Sequence, residues 1–549
     1  MLNRNPVGAR LALLAAFALA LAYPQVRQSL RPEFAAKLEI VVQRADTGEV
    51  IPARVYLFKG GRPFQLSPAD ALLPLRADLF YRERIWRQNS NPKTLEVTAR
   101  DQSHFVLLEG RGEYDLPAAK DYRLEAYHGI FFEPATAEFA LGADRRQQIT
   151  LKLRPIAPGR QEQWLAADDH IHLMRAKEDD SLFLKWLKAE DLAVANFLEL
   201  QRQQHAAVQY AFGREGEARL PGFSIRSGHE SRSRFYGHTL FLGPRQMIRP
   251  LSIGDEYANS PAAYPYPTIL FEQGRNAGGM VGFAHFYGSQ PNSTLIMNLA
   301  RNTIDFVELF QFGELRTAPW YELLNAGFRV TGLAGSDLPA NVGRADPWPR
   351  AIPFLGPERA LVKAAPGESA YDAWAAGVKR GAVMLSNGPL LEFSVNGKSS
   401  GEAVEWDGES LAWKGEASAI FYRPIERLEF IANGRVIAAQ EGGAANELAL
   451  SLSGKIAESS WVVARARAKK IEGEPDLWAH SNPIYFLKGG KPVYIAADRE
   501  AVAKRWEREM EYYRGPELKF ADESQRQGLL KIGEETAAIL RAPQPPWPR

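Results

Sequence analysis

Apolar and polar positions change period along the chain, and the changes divide it. Between 37 and 155, short apolar runs at 38–42, 54–58, 105–108, 122–126 and 149–153 are separated by turn residues, the pattern of strands in a β-sandwich. Pro155-Ile156-Ala157-Pro158-Gly159 reads as a linker. Beyond it, apolar runs at 192–195, 239–242, 280–284, 304–309 and 330–334 alternate with helical stretches predicted over 181–190, 267–276, 319–326 and 371–379, with Gly327 and Gly381 as stops. Such alternation implies a parallel sheet or barrel, whose chemistry gathers at the C-terminal strand ends. After Pro389 strands return. Asn433-Gly434 between apolar runs predicts a type I′ hairpin, 461–468 alternates with period two, and 484–486 closes a second β-sandwich. Near the end, Val502, Trp506 and Met510, then Leu529, Ile532 and Ile539, fall three, four or seven apart, which predicts a helical tail docked on the body.

The first residues stand outside this pattern. Arg4 and Arg10 precede an apolar run from Leu11 to Ala22, and Ala20-Leu21-Ala22 has the small-x-small form of a signal-peptide cleavage site. The run is shorter than the ~20 residues that span a bilayer. Residues 1–22 are therefore expected to be a leader, and the body an exported protein, periplasmic or extracellular, without a stable membrane span. An N-terminal anchor is the alternative. Charge changes the picture little: 67 basic residues balance 65 acidic ones, so no global field favours nucleic acid. The absence of cysteine excludes disulfides and thiolate ligands. Any metal must sit on nitrogen and oxygen.

The candidate chemistry lies in the middle segment. W-L-A-A-D-D-H-I-H (164–172) puts His170 and His172 two apart, and residues i and i+2 of a strand project to one side. Six of the nine histidines fall between His170 and His285, where an even spread would place about two. Glu230, His238, His285 and Asp337 follow, each beside glycine or at the end of an apolar run. His229 is read as a possible partner of Glu230 in acid catalysis or as a surface turn residue. Arg232 and Arg234 are candidate clamps for a substrate anion, or members of a solvated loop. Glu308 shares a strand face with Ile304 and Phe306 and is expected to point into the barrel mouth as a substrate contact, with a buried ion pair as the alternative. His205 reads as a surface histidine. His104, His128 and His480 read as structural or surface residues. No phosphate-binding loop, dinucleotide fingerprint or G-x-S-x-G elbow occurs.

In order, A-D-D-H-I-H, S-G-H-E-S-R-S-R-F-Y-G-H (227–238), G-G-M-V-G-F-A-H (278–285) and G-L-A-G-S-D (332–337) resemble the PHP (polymerase and histidinol phosphatase) superfamily. G-A-V-M-L-S-N-G-P-L-L (381–391) is similar to a segment of its CehA/McbA-like metallohydrolase branch. The resemblance covers roughly residues 160–395. It implies a distorted (β/α)7 barrel with metal at its C-terminal mouth, held by His170, His172, Glu230, His285 and Asp337. D-T-G-E-V-I-P-A-R-V-Y-L (46–57) resembles transthyretin-like or carboxypeptidase-regulatory-like modules. The expected architecture is a leader (1–22), an N-terminal β-sandwich (37–155), a PHP-like domain (160–388), a C-terminal β-sandwich (389–492) and a helical tail (496–542).

The chain also departs from the superfamily pattern. Asn196 stands where strand two usually ends in Asp-His, Glu178-Asp179-Asp180 replaces Ser-Asp-Gly, and no histidine follows Asp337-Leu338-Pro339. These losses imply one tightly bound ion, Zn first, with Mn or Fe as alternatives. The expected activity is hydrolysis of an ester, carbamate, amide or phosphoester bond in a small molecule, with no obligate partner. Catalysis is assigned to His238 as general acid, with Glu230 and His229 beside it. The rival is a catalytically degenerate module that binds a glycan or a protein.

Overall fold

The computed structural model describes residues 36–64, 76–77, 105–143, 145–202, 205–254, 260, 262–287, 294–341, 350–363 and 369–542. The expected leader and His104 lie outside them. Among the described residues no helix is long and apolar enough to cross a membrane.

The first strands form two facing sheets. One pairs Ala36–Arg44 in parallel with Arg146–Pro155 and antiparallel with Arg111–Leu116. The other is built on Ala53–Lys59, with Ala119–Tyr127 and Phe105–Leu108 on either side. Inward residues Leu38, Ile40, Val42, Val55, Leu57, Leu124 and Leu153 make one shared core. Arg54, fully buried at the edge of this unit, bonds Glu190 at 2.7 Å beyond the end of the helix Asp180–Ala189, which ties the unit to the middle of the chain.

The middle segment is a row of seven strands. Trp164–Ile171, Val194–Arg202 and Phe223–Ser233 run parallel. Gly237–Leu242 is antiparallel to both of its neighbours. Met280–Phe283, Phe306–Gln311 and Thr331–Ala334 are again parallel. The two ends of the row meet at a single bridge, Ile171 to Leu338, where His172 N–H donates to Leu338 O at 2.6 Å. The expected barrel of parallel strands is therefore not formed by continuous ladders. Its fourth strand is reversed because only Arg234-Phe235-Tyr236 separate it from the third, too few residues for a crossover. At the junction Gly335 packs so closely that a Cβ would collide with Asp169 and His170.

Helices Pro267–Asn276, Ala318–Asn325 and Ala370–Lys379 bury their apolar faces on this row. From Trp164–Ile171 the sheet continues antiparallel through Arg359–Lys363 and Met384–Ser386 into Leu477–Ser481. There it joins a C-terminal pair of sheets, in which Leu411–Ile420 alternates buried and exposed residues. Asn433 and Gly434 take φ of 48° and 80° in the hairpin between Ile425–Ala432 and Arg435–Glu441, the left-handed pair that a type I′ turn requires. The final helices, Ala496–Arg514 and Glu523–Arg541, pack on each other through Trp506 and Met510 against Gly533. Arg505 anchors them to Glu322 at 2.7 Å and to the Tyr287 hydroxyl at 2.8 Å.

Candidate metal centre

Three histidines are held in the same way. His170 Nδ1–H donates to Glu308 Oε1 at 2.9 Å, His172 Nδ1–H to Leu198 O at 3.1 Å, and His285 Nδ1–H to Gln311 Oε1 at 2.6 Å. With each Nδ1 proton committed outward, each Nε2 presents its lone pair inward. The Nε2 atoms of His170 and His172 then face each other at 3.0 Å. Carboxylates close around them. Glu230 Oε2 lies 3.1 Å from His172 Nε2, and Asp337 Oδ1 lies 3.6 and 3.5 Å from the Nε2 atoms of His170 and His172. On the other side, Glu230 Oε1 is 2.8 Å from His238 Nδ1 and 3.5 Å from His285 Nε2, with Asp337 Oδ2 at 4.0 Å from His285 Nε2.

Lone pairs and carboxylates in mutual contact repel unless a proton or a metal cation lies among them. Four donors at ~2.05 Å around a tetrahedral ion stand about 3.3 Å apart. Four distances, His170–His172 at 3.0 Å, His172–Glu230 at 3.1 Å and Asp337 to the two histidines at 3.6 and 3.5 Å, lie near that edge length. These buried His, Glu and Asp groups can hold a metal ion, in overlapping sets: His170 with His172 and Glu230, His170 with His285 and Asp337, and Glu230 with His238 and His285. The donor set is all nitrogen and oxygen, which suits a divalent first-row ion.

The electrostatics express the same crowding. Burial disfavours charge on His170, yet Glu308, Asp337 and Glu230 outweigh it and push the imidazole up to about 10, so without a metal its Nε2 carries a proton that a bound cation would replace. Burial also opposes charge on Glu230, but Arg232 and His238 hold its carboxyl well below the usual range. Asp169, wholly buried beside Glu308, is driven well above the ordinary carboxyl value by burial and by that second carboxyl.

The remaining site residues stand as follows. His238 lies within the strand Gly237–Leu242 and not ahead of it, and burial pushes it down to about 4. Burial thus favours the neutral ring, whose Nδ1 lies 2.8 Å from Glu230 Oε1 and whose Nε2 has no hydrogen-bond partner among the described residues. His229 is no surface residue: it is fully buried, stacked on Phe241 at 4.3 Å, and neither ring nitrogen has a hydrogen-bond partner among the described residues. It alternates with Glu230 along the strand, so its ring faces away from the donors. Arg232 is buried and donates to Glu230 Oε2 at 2.9 Å, while Arg234, beyond the strand end, is exposed. The first fixes a donor and the second stays in solvent, so the two are not brought together at the site. Glu308 is buried with both oxygens engaged, by His170, by Gln311 Nε2 at 3.1 Å and by the His285 backbone N–H at 2.7 Å. It backs the histidines and does not line a mouth as a substrate contact. His128, buried against Ala189 O at 3.3 Å, and His480, buried beside Tyr321, lie away from the cluster. His205 opens a short strand, and its side chain lies outside the described residues.

Further residues support the site. Gln311 follows Glu308 by three, a spacing that alternation puts on opposite faces. One extra residue between Glu308 and Phe310, relative to Leu333 and Ala334, returns it to the Glu308 side. Asp168 accepts N–H bonds from His170, Ser336 and Gly356 at 3.0, 2.9 and 3.0 Å, clamping the strand junction behind the site. The paired carboxyls of Asp168-Asp169 were the available signal. His285 and Asp337 also hold φ of 51° and 52°, a left-handed conformation rare outside glycine and concentrated where function requires a side chain at a fixed point.

No protein-family model matches the chain, and no curated protein does. Among solved structures it is similar to the novel lesion-specific endonuclease PfuEndoQ from Pyrococcus furiosus, with a TM-score of 0.26 and 14% identity. The match covers 39% of this chain and 56% of that one, so the chain spans little more than half the length of that structure. With a likeness this loose, the functional reading rests on the donor geometry.

Proposed function

We propose that the chain is an exported metal-dependent hydrolase acting on an ester, carbamate, amide or phosphoester bond of a small molecule, in the manner of the CehA/McbA-like branch that its motifs resemble. Residues 160–388 form the hydrolase body, flanked by the sandwiches 37–155 and 389–492 and covered by the tail 496–542. The observation that carries the reading is the 3.0 Å approach of two Nε2 atoms with the Glu230 and Asp337 carboxylates beside them. His170, His172, Glu230 and Asp337 hold one ion tightly, Zn first, with Mn or Fe as alternatives. His238, His285 and the second oxygen of Glu230 offer a weaker location.

A divalent cation there supplies Lewis acidity, lowering the pKa of water toward ~7 and polarising a carbonyl or phosphoryl oxygen. Arg232 keeps Glu230 ionised and oriented. His238, neutral and with a free Nε2, takes up the proton that the attacking water releases and returns it to the leaving group. The test is turnover of a panel of carbamates, amides and phosphate esters, with and without a chelator. Hydrolysis that a chelator abolishes, and that a divalent ion restores, is expected. An ion firmly bound with no turnover across the panel would instead favour the degenerate binding module.

A further inference from the structure

At the opposite ends of the same strands lies a cavity of about 510 Å³ between the strand row and the C-terminal sheets. That volume lies in the range of small-molecule pockets, roughly 300–1,000 Å³. Arg275 and Lys379, in the last turns of the helices Pro267–Asn276 and Ala370–Lys379, enter it together with Arg380 and with Arg329, which precedes the strand Thr331–Ala334. Basic residues at helix C-termini are favourable in themselves. Helix ends do not account for the convergence of cations from separate elements on one hollow.

Asp305 is the single acid in the lining, and its Oδ2 accepts the Val281 N–H at 2.9 Å. Asn482 spends its amide on Gly332 and Val383. Thr331 spends its hydroxyl on Val378 O at 3.0 Å. Arg275 donates from Nη1 to Asn302 O at 2.5 Å and Arg329 is fixed over the Tyr485 ring at 4.1 Å, while Lys379 and Arg380 are exposed with no salt bridge among the described residues, Asp305 being the nearest acid in the lining. The neutral polar groups are thus satisfied internally. Lys379 and Arg380 remain for a ligand, with the charges of Arg275 and Arg329 beside them in a concavity that focuses their field.

We propose that this cavity is a binding site for a small, multiply charged oxyanion of the diphosphate class, separate from the metal centre. Asp305 and Gln311 bracket the strand between the two sites, a separation of roughly 20 Å at ~3.3 Å per residue. The guanidinium fork of Arg380 matches the paired oxygens of such an anion, and the ammonium of Lys379 adds a mobile point charge. Monovalent anions leave most of the positive charge unbalanced and bind poorly.

The probe is inorganic pyrophosphate, titrated calorimetrically into the full-length protein, into the double variant Lys379→Ala/Arg380→Ala, and into His172→Ala. Both cations are exposed, so circular dichroism and Tm of the double variant should match wild type. Expected is binding that weakens about tenfold or more in the double variant, as for loss of a charge-assisted hydrogen bond, and that persists in His172→Ala. Unchanged affinity in the double variant, loss in His172→Ala alone, or no binding at millimolar pyrophosphate overturns the proposal.

Discussion

At the scale of single residues, the account turns on which atom of each histidine faces inward. His172→Ala removes an Nε2 at the centre of the donors, and its truncated side chain leaves the strand row and the helices with their own cores. It is expected to lose both metal and hydrolysis while the fold persists. His238→Ala separates two roles. As a proton carrier it slows turnover by ~10² to 10⁴ with metal retained, whereas metal loss as complete as in His172→Ala would make it a ligand. Glu308→Gln tests the backing layer. The amide can still accept from His170 but no longer adds negative charge to the imidazole, so metal affinity should fall about 10- to 100-fold. If affinity measured by competition with a chromogenic chelator is unchanged, the Glu308–His170 bond does not tune the site.

At the scale of elements, the site depends on close approach at the junction of the first and seventh strands. Gly335→Ala puts a methyl against Asp169 and His170, which should destabilise the fold by ~1–3 kcal/mol and displace His170. Urea melts and metal titrations of this variant check both effects, and full stability would mean that the junction is looser than described.

Elements with a regular period were legible in the sequence. The helix expected over 267–276 is Pro267–Asn276, and Asn433-Gly434 turns the expected hairpin. The strand that carries Glu230 was not. Phe223–Ser233 reads F-S-I-R-S-G-H-E-S-R-S, polar enough for a loop, yet nearly all of it is buried. Most of its polar side chains are paired inside, Arg226 with Glu217 at 2.8 Å, Ser227 with Arg175 at 2.8 Å, and Glu230 with Arg232, while His229 stacks on Phe241. Hydropathy cannot separate a solvated loop from a strand whose polar residues satisfy one another. The extra residue after Glu308 likewise hides Gln311 from any period-two reading. His170 and His172 could be paired from spacing alone, whereas Glu308 behind them required the fold.

At the scale of the whole molecule, stability should depend on acidity through histidines buried in neutral form. His480 donates from Nδ1 to Ser481 O at 2.7 Å and accepts from the Tyr321 hydroxyl at 2.5 Å, and burial pushes it down to about 3. An unfolded chain takes up a proton there near 6.5, which the folded chain refuses. Stability from this group is therefore present above pH 6.5 and lost as pH falls toward 3. His480→Gln should give a flatter dependence of Tm on pH between 6.5 and 4 than wild type. Equal slopes would show that His480 gains its proton without unfolding.

The central claim is that the inward Nε2 atoms and the Glu230 and Asp337 carboxylates surround a cation. Elemental analysis of full-length protein, dialysed extensively against metal-free buffer, measures this most directly when wild type and His172→Ala are compared. The account predicts about one Zn, Mn or Fe ion per wild-type chain and none in His172→Ala. A wild-type chain that retains no ion even after reconstitution, or a His172→Ala chain that retains as much as wild type, would contradict it.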